Sequence, residues 1–287
     1  MITDAQVHLW EASSPKWRWA DGAKAHLAEP MTAERMLALM DAAGVARAII
    51  SPLMLIDWAP DYALDVAARY PERFKVMGWF WPERHQTYDG LARWLDDPRM
   101  CSMRLLIWTP ELLATMTGDG MAPFWSALEH HGIPVAFMLQ DNDAKAMGPV
   151  ARRHPGLKLI VDHMNWPITA ESRERKMADL EALSVHPNVY LKVSSLPRFA
   201  TGPEPYEDLH ALIRRVHAAF GSRRLMWGAD QSQIIARDLC GYTEHVDIIR
   251  VGAARYLPPG DIAWILNGTA AAVFDMGVSA WARRSQR

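Results

Sequence analysis

Continuous apolar runs, among them A-R-A-I-I-S and L-K-L-I-V-D-H, alternate along the chain with longer stretches whose apolar positions repeat at helical spacing. The runs predict strands at 2–6, 46–51, 75–80, 102–107, 134–139, 157–162, 189–194 and 224–228. The stretches between them predict helices near 31–43, 60–70, 88–97, 121–131, 143–153, 171–183, 205–219 and 243–256, with another over 260–275. Runs without polar alternation suit strands covered on both faces, as in a parallel sheet between helices. Eight strand–helix units within 287 residues predict an α/β fold, a (β/α)8 TIM barrel. The competing open, doubly wound sheet expects a G-x-G-x-x-G turn after the first strand, and none is present. With no linker, low-complexity segment or internal repeat, a single domain over 1–287 is the simpler organisation. The longest connection, residues 11–30, carries Trp17 and Trp19 and predicts a flap over the barrel mouth.

Composition narrows the class of partner. Half the residues are hydrophobic and 22% are charged, so the chain can bury a large core. A formal net charge of −2 gives no electrostatic reason to expect nucleic acid or an anionic membrane, which leaves a small molecule as the expected partner. No apolar run is long enough for a membrane helix. Cys101 and Cys240 lie far apart with no signal peptide before them, so a disulfide framework is not expected and a cytoplasmic location is. Nothing sets the oligomeric state, and a homo-oligomer is left open.

Barrel enzymes assemble their sites at the carboxyl ends of the strands. Applied to the predicted strands, that rule gathers Gln6 and His8 from strand one, Ser51 from two, Arg104 from four, Gln140 from five, Asp162 and His163 from six, Ser194 and Ser195 from seven, and Asp230 from eight. A single histidine near an apolar strand is more often a core or loop residue; the convergence is what gives the set meaning. Ser51 can donate to a substrate, although serine before proline is also ordinary turn chemistry. No G-x-S-x-G elbow accompanies it, which argues against a serine nucleophile. Arg198, just beyond strand seven, is a second candidate anion contact. Trp10, Trp79, Trp81, Trp108, Trp166 and Trp227 lie near strand ends and point to a flat or apolar substrate, with core packing as the alternative. Glu83 and His85 lie close enough in sequence to the mouth to be considered, and a solvated loop is their expected role.

Four segments, D-A-Q-V-H-L-W, I-V-D-H-M-N-W-P, L-K-V-S-S-L and R-L-M-W-G-A-D-Q-S, together with I-L-N-G-T-A-A-A-V-F near the end, resemble the amidohydrolase superfamily. The resemblance is closest to its lactonase-like branch and covers nearly the whole chain. For the superfamily at large it implies a His-x-His pair on strand one, further histidines on strands five and six, and an aspartate on strand eight around one or two divalent metals. Here Gln6 replaces the first histidine, and strand five offers Met138 and Gln140 instead of a histidine or lysine. A binuclear centre is therefore not expected; His8, His163 and Asp230 remain as a candidate set for one zinc or manganese ion.

The lactonase resemblance implies a mechanism that needs no cofactor. In it Asp230 takes a proton from water, while His8, His163 and Gln6 donate hydrogen bonds to the carbonyl oxygen. Arg104 falls where such relatives carry a substrate-binding arginine, with an ion pair to a neighbouring acid as its structural alternative. The expected function is hydrolysis of a small lactone or related carboxylic ester. The alternatives are a mononuclear metal-dependent hydrolase or non-oxidative decarboxylase, and a catalytically inactive barrel that only binds.

Overall fold

The computed structural model describes residues 1–56, 59–81, 91, 94, 96–167 and 169–276. Each predicted apolar run is a strand: β1 (Thr3–Val7), β2 (Arg47–Ile50), β3 (Phe74–Trp79), β4 (Met100–Leu106), β5 (Val135–Met138), β6 (Leu159–Val161), β7 (Val189–Ser194) and β8 (Leu225–Gly228). They form one parallel sheet in the order β1 to β8. The seam between first and last strands is closed by backbone and side chain together. Asp230 N–H donates to the Gln6 carbonyl at 2.9 Å, and Ala229 N–H donates to Asp4 Oδ1 at 2.9 Å. Gly228 permits the approach, since a Cβ there would lie 3.2 Å from the Gln6 nitrogen.

Two apolar layers result. The larger packs outward-facing strand residues such as Val135, Leu159 and Leu191 against the surrounding helices. The smaller fills the lower barrel with Ala5, Ile49, Met77, Ala136, Ile160 and Met226, closed underneath by Ala270, Val273 and Phe274 of the final helical segment. Above that plug the interior turns polar. The β1–β2 register shifts between Asp4 and Val7, so Ala5 joins the lower plug while Gln6 and His8 both serve the layer above it.

The helix over Ala33–Ala43 has its start and stop in the sequence: Thr32 accepts from Arg35 N–H, and Gly44 ends it at φ 73°. A helix over Pro110–Thr117 was not among those expected, although Thr109 caps it and proline occupies its first turn. The stretch expected as one helix over 243–256 is Tyr242–Asp247 continued by a wider turn over Ile248–Gly252 and a tight one over Ala253–Arg255. Most of the helix expected at 88–97, with Glu83 and His85 before it, lies outside the described residues.

Asp4 is fully buried at the seam, where its carboxyl group accepts from Gln6 N–H, Ala229 N–H and Tyr242 O–H. Burial raises its pKa to about 7 against the opposing hydrogen bonds. An acid with a raised pKa stabilises the fold fully below its ordinary value, and that contribution is lost as pH rises through about 7. The melting temperature of the parent should therefore fall relative to Asp4→Asn as pH rises from about 4 to 7, because the amide stands for the protonated acid. A difference independent of pH would contradict this account of the seam.

Candidate active site

The last turns of β6, β7 and β8 share an unusual backbone. His163, Met164, Asn165 and Trp166 have φ of 51°, 48°, 58° and 63°, Ser195 has 55° and Asp230 has 53°. Side chains with a Cβ adopt this left-handed region at a cost, and its concentration at three adjacent strand ends marks a site held in place by its surroundings. These turns aim His163, Ser195 and Asp230 toward one another.

At the centre is a buried ionic group. Asp162 faces two cations: Arg104 Nε donates to Oδ2 at 2.6 Å, and Lys192 Nζ lies 2.9 Å from Oδ1. All three side chains are buried. Burial pushes the Asp162 pKa up, but the charges of Lys192 and Arg104 outweigh it and hold the carboxyl below the usual carboxylate range. Burial lowers the pKa of Lys192, partly offset by Asp162.

Hydrogen-bond directions follow from this cluster. Lys192 can only donate, and its Nζ reaches Gln6 Oε1 at 2.9 Å; the Gln6 amide nitrogen therefore faces His163 Nε2, at 3.1 Å. His163 Nε2 accepts that bond, and Arg104 Nη2 approaches the same atom at 3.4 Å. The remaining ring nitrogen, Nδ1, carries the proton, with Ser194 Oγ at 2.9 Å and Ser195 Oγ at 3.1 Å. Ser195 in turn donates to Asp230 Oδ2 at 2.7 Å. Burial is the main reason that His163 has its pKa lowered to about 4, so the ring is neutral at neutral pH.

Asp230 completes the set. His8 Nδ1 donates to the Ser51 carbonyl at 2.6 Å, which turns Nε2 toward Asp230 Oδ1 at 3.2 Å. Burial pushes the Asp230 pKa up, but the hydrogen bond and charge of His8, the charge of His163 and the Ser195 hydroxyl keep it below the ordinary range. Asp230 is thus an ionised carboxylate in a water-poor site. Over it lies His26 from the 11–30 connection, edge-on to His8 at 5.3 Å and to Trp10 at 5.9 Å. His26 is tied to the β8 end by Ser232 Oγ at 2.8 Å and Gln233 Nε2 at 2.7 Å.

Several expected substrate contacts are engaged with the protein instead. Arg104 grips Asp162, gives Nη1 to Ser51 Oγ at 3.0 Å and lies over the Trp79 ring at 4.6 Å, so it fills the structural alternative. Ser51 is fully buried and supports Arg104 with its hydroxyl and His8 with its carbonyl. Gln6, expected to donate to a substrate oxygen, is also fully buried, with its amide shared between Lys192 and His163. The reason is burial: Gln6 and Arg104 leave β1 and β4 inside the barrel, and Ser51, directly after β2, is covered as well. Trp10 is buried against His26, and Trp227 is a packing residue against Tyr242 and His245. Gln140 is half-buried, its carbonyl held by Lys176. Arg198 lies over the Trp166 ring at 4.2 Å instead of against a carboxylate of the described residues, and Asp230 and Arg237 both act on its charge.

Lys192 and His26 were absent from the expected site. The lysine had a signal, a charge inside the apolar run V-Y-L-K-V-S; His26 had none, since only the course of the 11–30 connection brings it to His8.

The donors for a metal ion do not converge. His8 Nε2 and Asp230 Oδ1 face each other, but the third candidate, His163, presents Nε2 to the Gln6 amide and to Arg104, with Lys192 close behind. Among the described residues no three histidine, cysteine, aspartate or glutamate side chains are placed to hold a metal. The residues as arranged do not fit the ion that the superfamily resemblance implies.

The fold is a (β/α)8 barrel, and the buried polar side chains described above gather at the carboxyl ends of its strands. The amidohydrolase profile matches residues 3–276, and the chain belongs to that family. It is 26% identical over 231 residues to L-fucono-1,5-lactonase of Burkholderia ambifaria, covering 79% of each chain. An amidohydrolase from Burkholderia multivorans with bound zinc superposes with a TM-score of 0.80 at 19% identity, over 96% of this chain and all of that one. A probable 2-pyrone-4,6-dicarboxylic acid hydrolase from Acinetobacter baumannii with citric acid bound superposes with a TM-score of 0.77 at 14% identity, over 96% and 99%. No helix of the described residues is long and apolar enough to cross a membrane.

Proposed function

We propose that the chain hydrolyses a small lactone or related carboxylic ester, with Asp230 as the base and no metal ion in the reaction. The observation that carries this reading is the buried Asp230 carboxyl group 3.2 Å from His8 Nε2, in a site where His163 Nε2 is 3.1 Å from the Gln6 amide nitrogen and so turned away from Asp230. The similarity to L-fucono-1,5-lactonase and to a 2-pyrone-4,6-dicarboxylic acid hydrolase supports a cyclic ester as substrate.

In the proposed reaction a water molecule, poised against Asp230, attacks the lactone carbonyl carbon. Its proton passes to the carboxylate as the carbon–oxygen bond forms. His8, protonated on both ring nitrogens with Nδ1–H on the Ser51 carbonyl, turns its Nε2–H from Asp230 Oδ1 to the carbonyl oxygen, where negative charge develops. That move removes a donor from Asp230 and makes the carboxylate more basic when a proton must be taken. Collapse of the tetrahedral intermediate breaks the ring carbon–oxygen bond, and the proton held by Asp230 goes to the departing oxygen. The product is the open hydroxy acid. In this reading His163, Gln6 and Lys192 hold the geometry from below, and Arg198, which lies over the Trp166 ring, supplies the contact to a substrate anion.

A panel of 1,5-aldonolactones and carboxylated unsaturated lactones, followed by proton release, tests the class directly. Saturable hydrolysis of at least one member is expected. Release of carbon dioxide from aromatic or unsaturated acids, with no lactone opened, would overturn the reading in favour of a decarboxylase.

A further inference from the structure

Four consecutive hydrogen bonds run from the barrel centre to the base, and all point the same way. Lys192 gives to Gln6, Gln6 to His163, His163 to the Ser194 and Ser195 hydroxyls, and Ser195 to Asp230. A chain of this kind has two possible senses, because an amide can be turned end for end and an imidazole can carry its proton on either nitrogen. Its two ends cannot reverse: the Lys192 ammonium only donates and the Asp230 carboxylate only accepts, so the amide and the imidazole between them are what must be set.

The geometry points to Lys192 as the positioning residue that sets the sense of this chain, fixing His163 as the Nδ1–H tautomer and so securing the Ser195 hydroxyl on Asp230. Turning the Gln6 amide over would place its NH2 group against the Lys192 ammonium, donor against donor, 2.9 Å away. Without the lysine that penalty disappears. Gln6 Oε1 can then accept from His163 Nε2–H, and Nδ1 becomes an acceptor that draws on the Ser194 and Ser195 hydroxyls, so Ser195 loses the donor that holds its oxygen while it gives its proton to Asp230 Oδ2. The donor to the base loses its orientation. Arg104 Nη2 favours the same tautomer, but from 3.4 Å and with its shorter bonds spent on Asp162 and Ser51.

Lys192 itself is fully buried, so it acts through Gln6 and not on substrate. Asp162 is what makes the arrangement tolerable, since one carboxylate between two cations offsets the cost of burying them. The effect on turnover rests on the hydrolase reading with Asp230 as base; the tautomer does not.

The test is the protonation pattern of the His163 ring in the substrate-free, full-length chain, by 15N–1H correlation of the imidazole nitrogens, with the signal assigned through its loss in His163→Asn. The parent is expected to show a neutral ring with hydrogen on Nδ1. Gln6→Glu keeps an ion pair to Lys192 but cannot donate, so hydrogen should appear on Nε2. Lys192→Met should also raise the Nε2–H share and lower kcat on the best lactone about 10- to 100-fold, the scale for losing an outer supporting hydrogen bond, with KM nearly unchanged. If Lys192→Met fails to fold, Gln6→Glu decides the matter. A parent ring protonated on Nε2, or an unchanged pattern in a folded Gln6→Glu protein, would overturn the proposal. Absence of lactone turnover would overturn the hydrolase reading while leaving this result to stand or fall by itself.

Discussion

Asp230→Asn is expected to lower kcat by about 10²- to 10⁴-fold, the range associated with losing a general base, while leaving the melting temperature close to that of the parent. An amide at this position can still accept the Ser195 O–H at Oδ1, so the contact that seats the side chain survives. It cannot take the proton of the attacking water. Its NH2 group would also face His8 Nε2 in place of a carboxylate oxygen that lies 3.2 Å from it. Steady-state kinetics on the best lactone, beside a thermal melt, check both halves. Activity within about tenfold of the parent would remove Asp230 from the role of base.

The largest effect on stability is expected from Arg104→Met, at about 3–5 kcal/mol, because it breaks a buried ion pair and leaves Asp162 with Lys192 alone. It also withdraws donors from Ser51 and from His163 Nε2. Arg104→Lys should recover only part of this, since one ammonium cannot span the places that a planar guanidinium reaches together. The midpoint of urea unfolding reads the loss. An unchanged midpoint with a raised KM would return Arg104 to the substrate-binding role that its place on β4 suggested.

The barrel itself was legible because strands covered on both faces need unbroken apolar runs, and such runs stand out in A-R-A-I-I-S as clearly as in L-K-L-I-V-D-H. The helix over Pro110–Thr117 does not show in apolar periodicity, because its signal is a cap, Thr109 before Pro110, and not a strong apolar stripe. At the site, strand ends located Gln6, His8, Arg104, His163 and Asp230 in one place, but not their depth. Whether a side chain meets substrate or supports a neighbour depends on a distance of one residue layer along the barrel axis, and the register shift in β1 that places Gln6 beside Lys192 leaves no mark on composition or periodicity. His26 shows the same limit for a connection whose course is set by tertiary contacts: its ring meets His8, from a position eighteen residues away in sequence.

The measurement that bears most directly on a carboxylate-based hydrolysis is turnover of the best lactone by the full-length chain before and after chelation, with metal content determined on the same samples. The account predicts unchanged kcat in protein stripped of zinc and manganese, and no gain when either is returned. Activity that disappears on chelation and comes back with zinc would contradict it, and would place His8 and Asp230 on a metal ion.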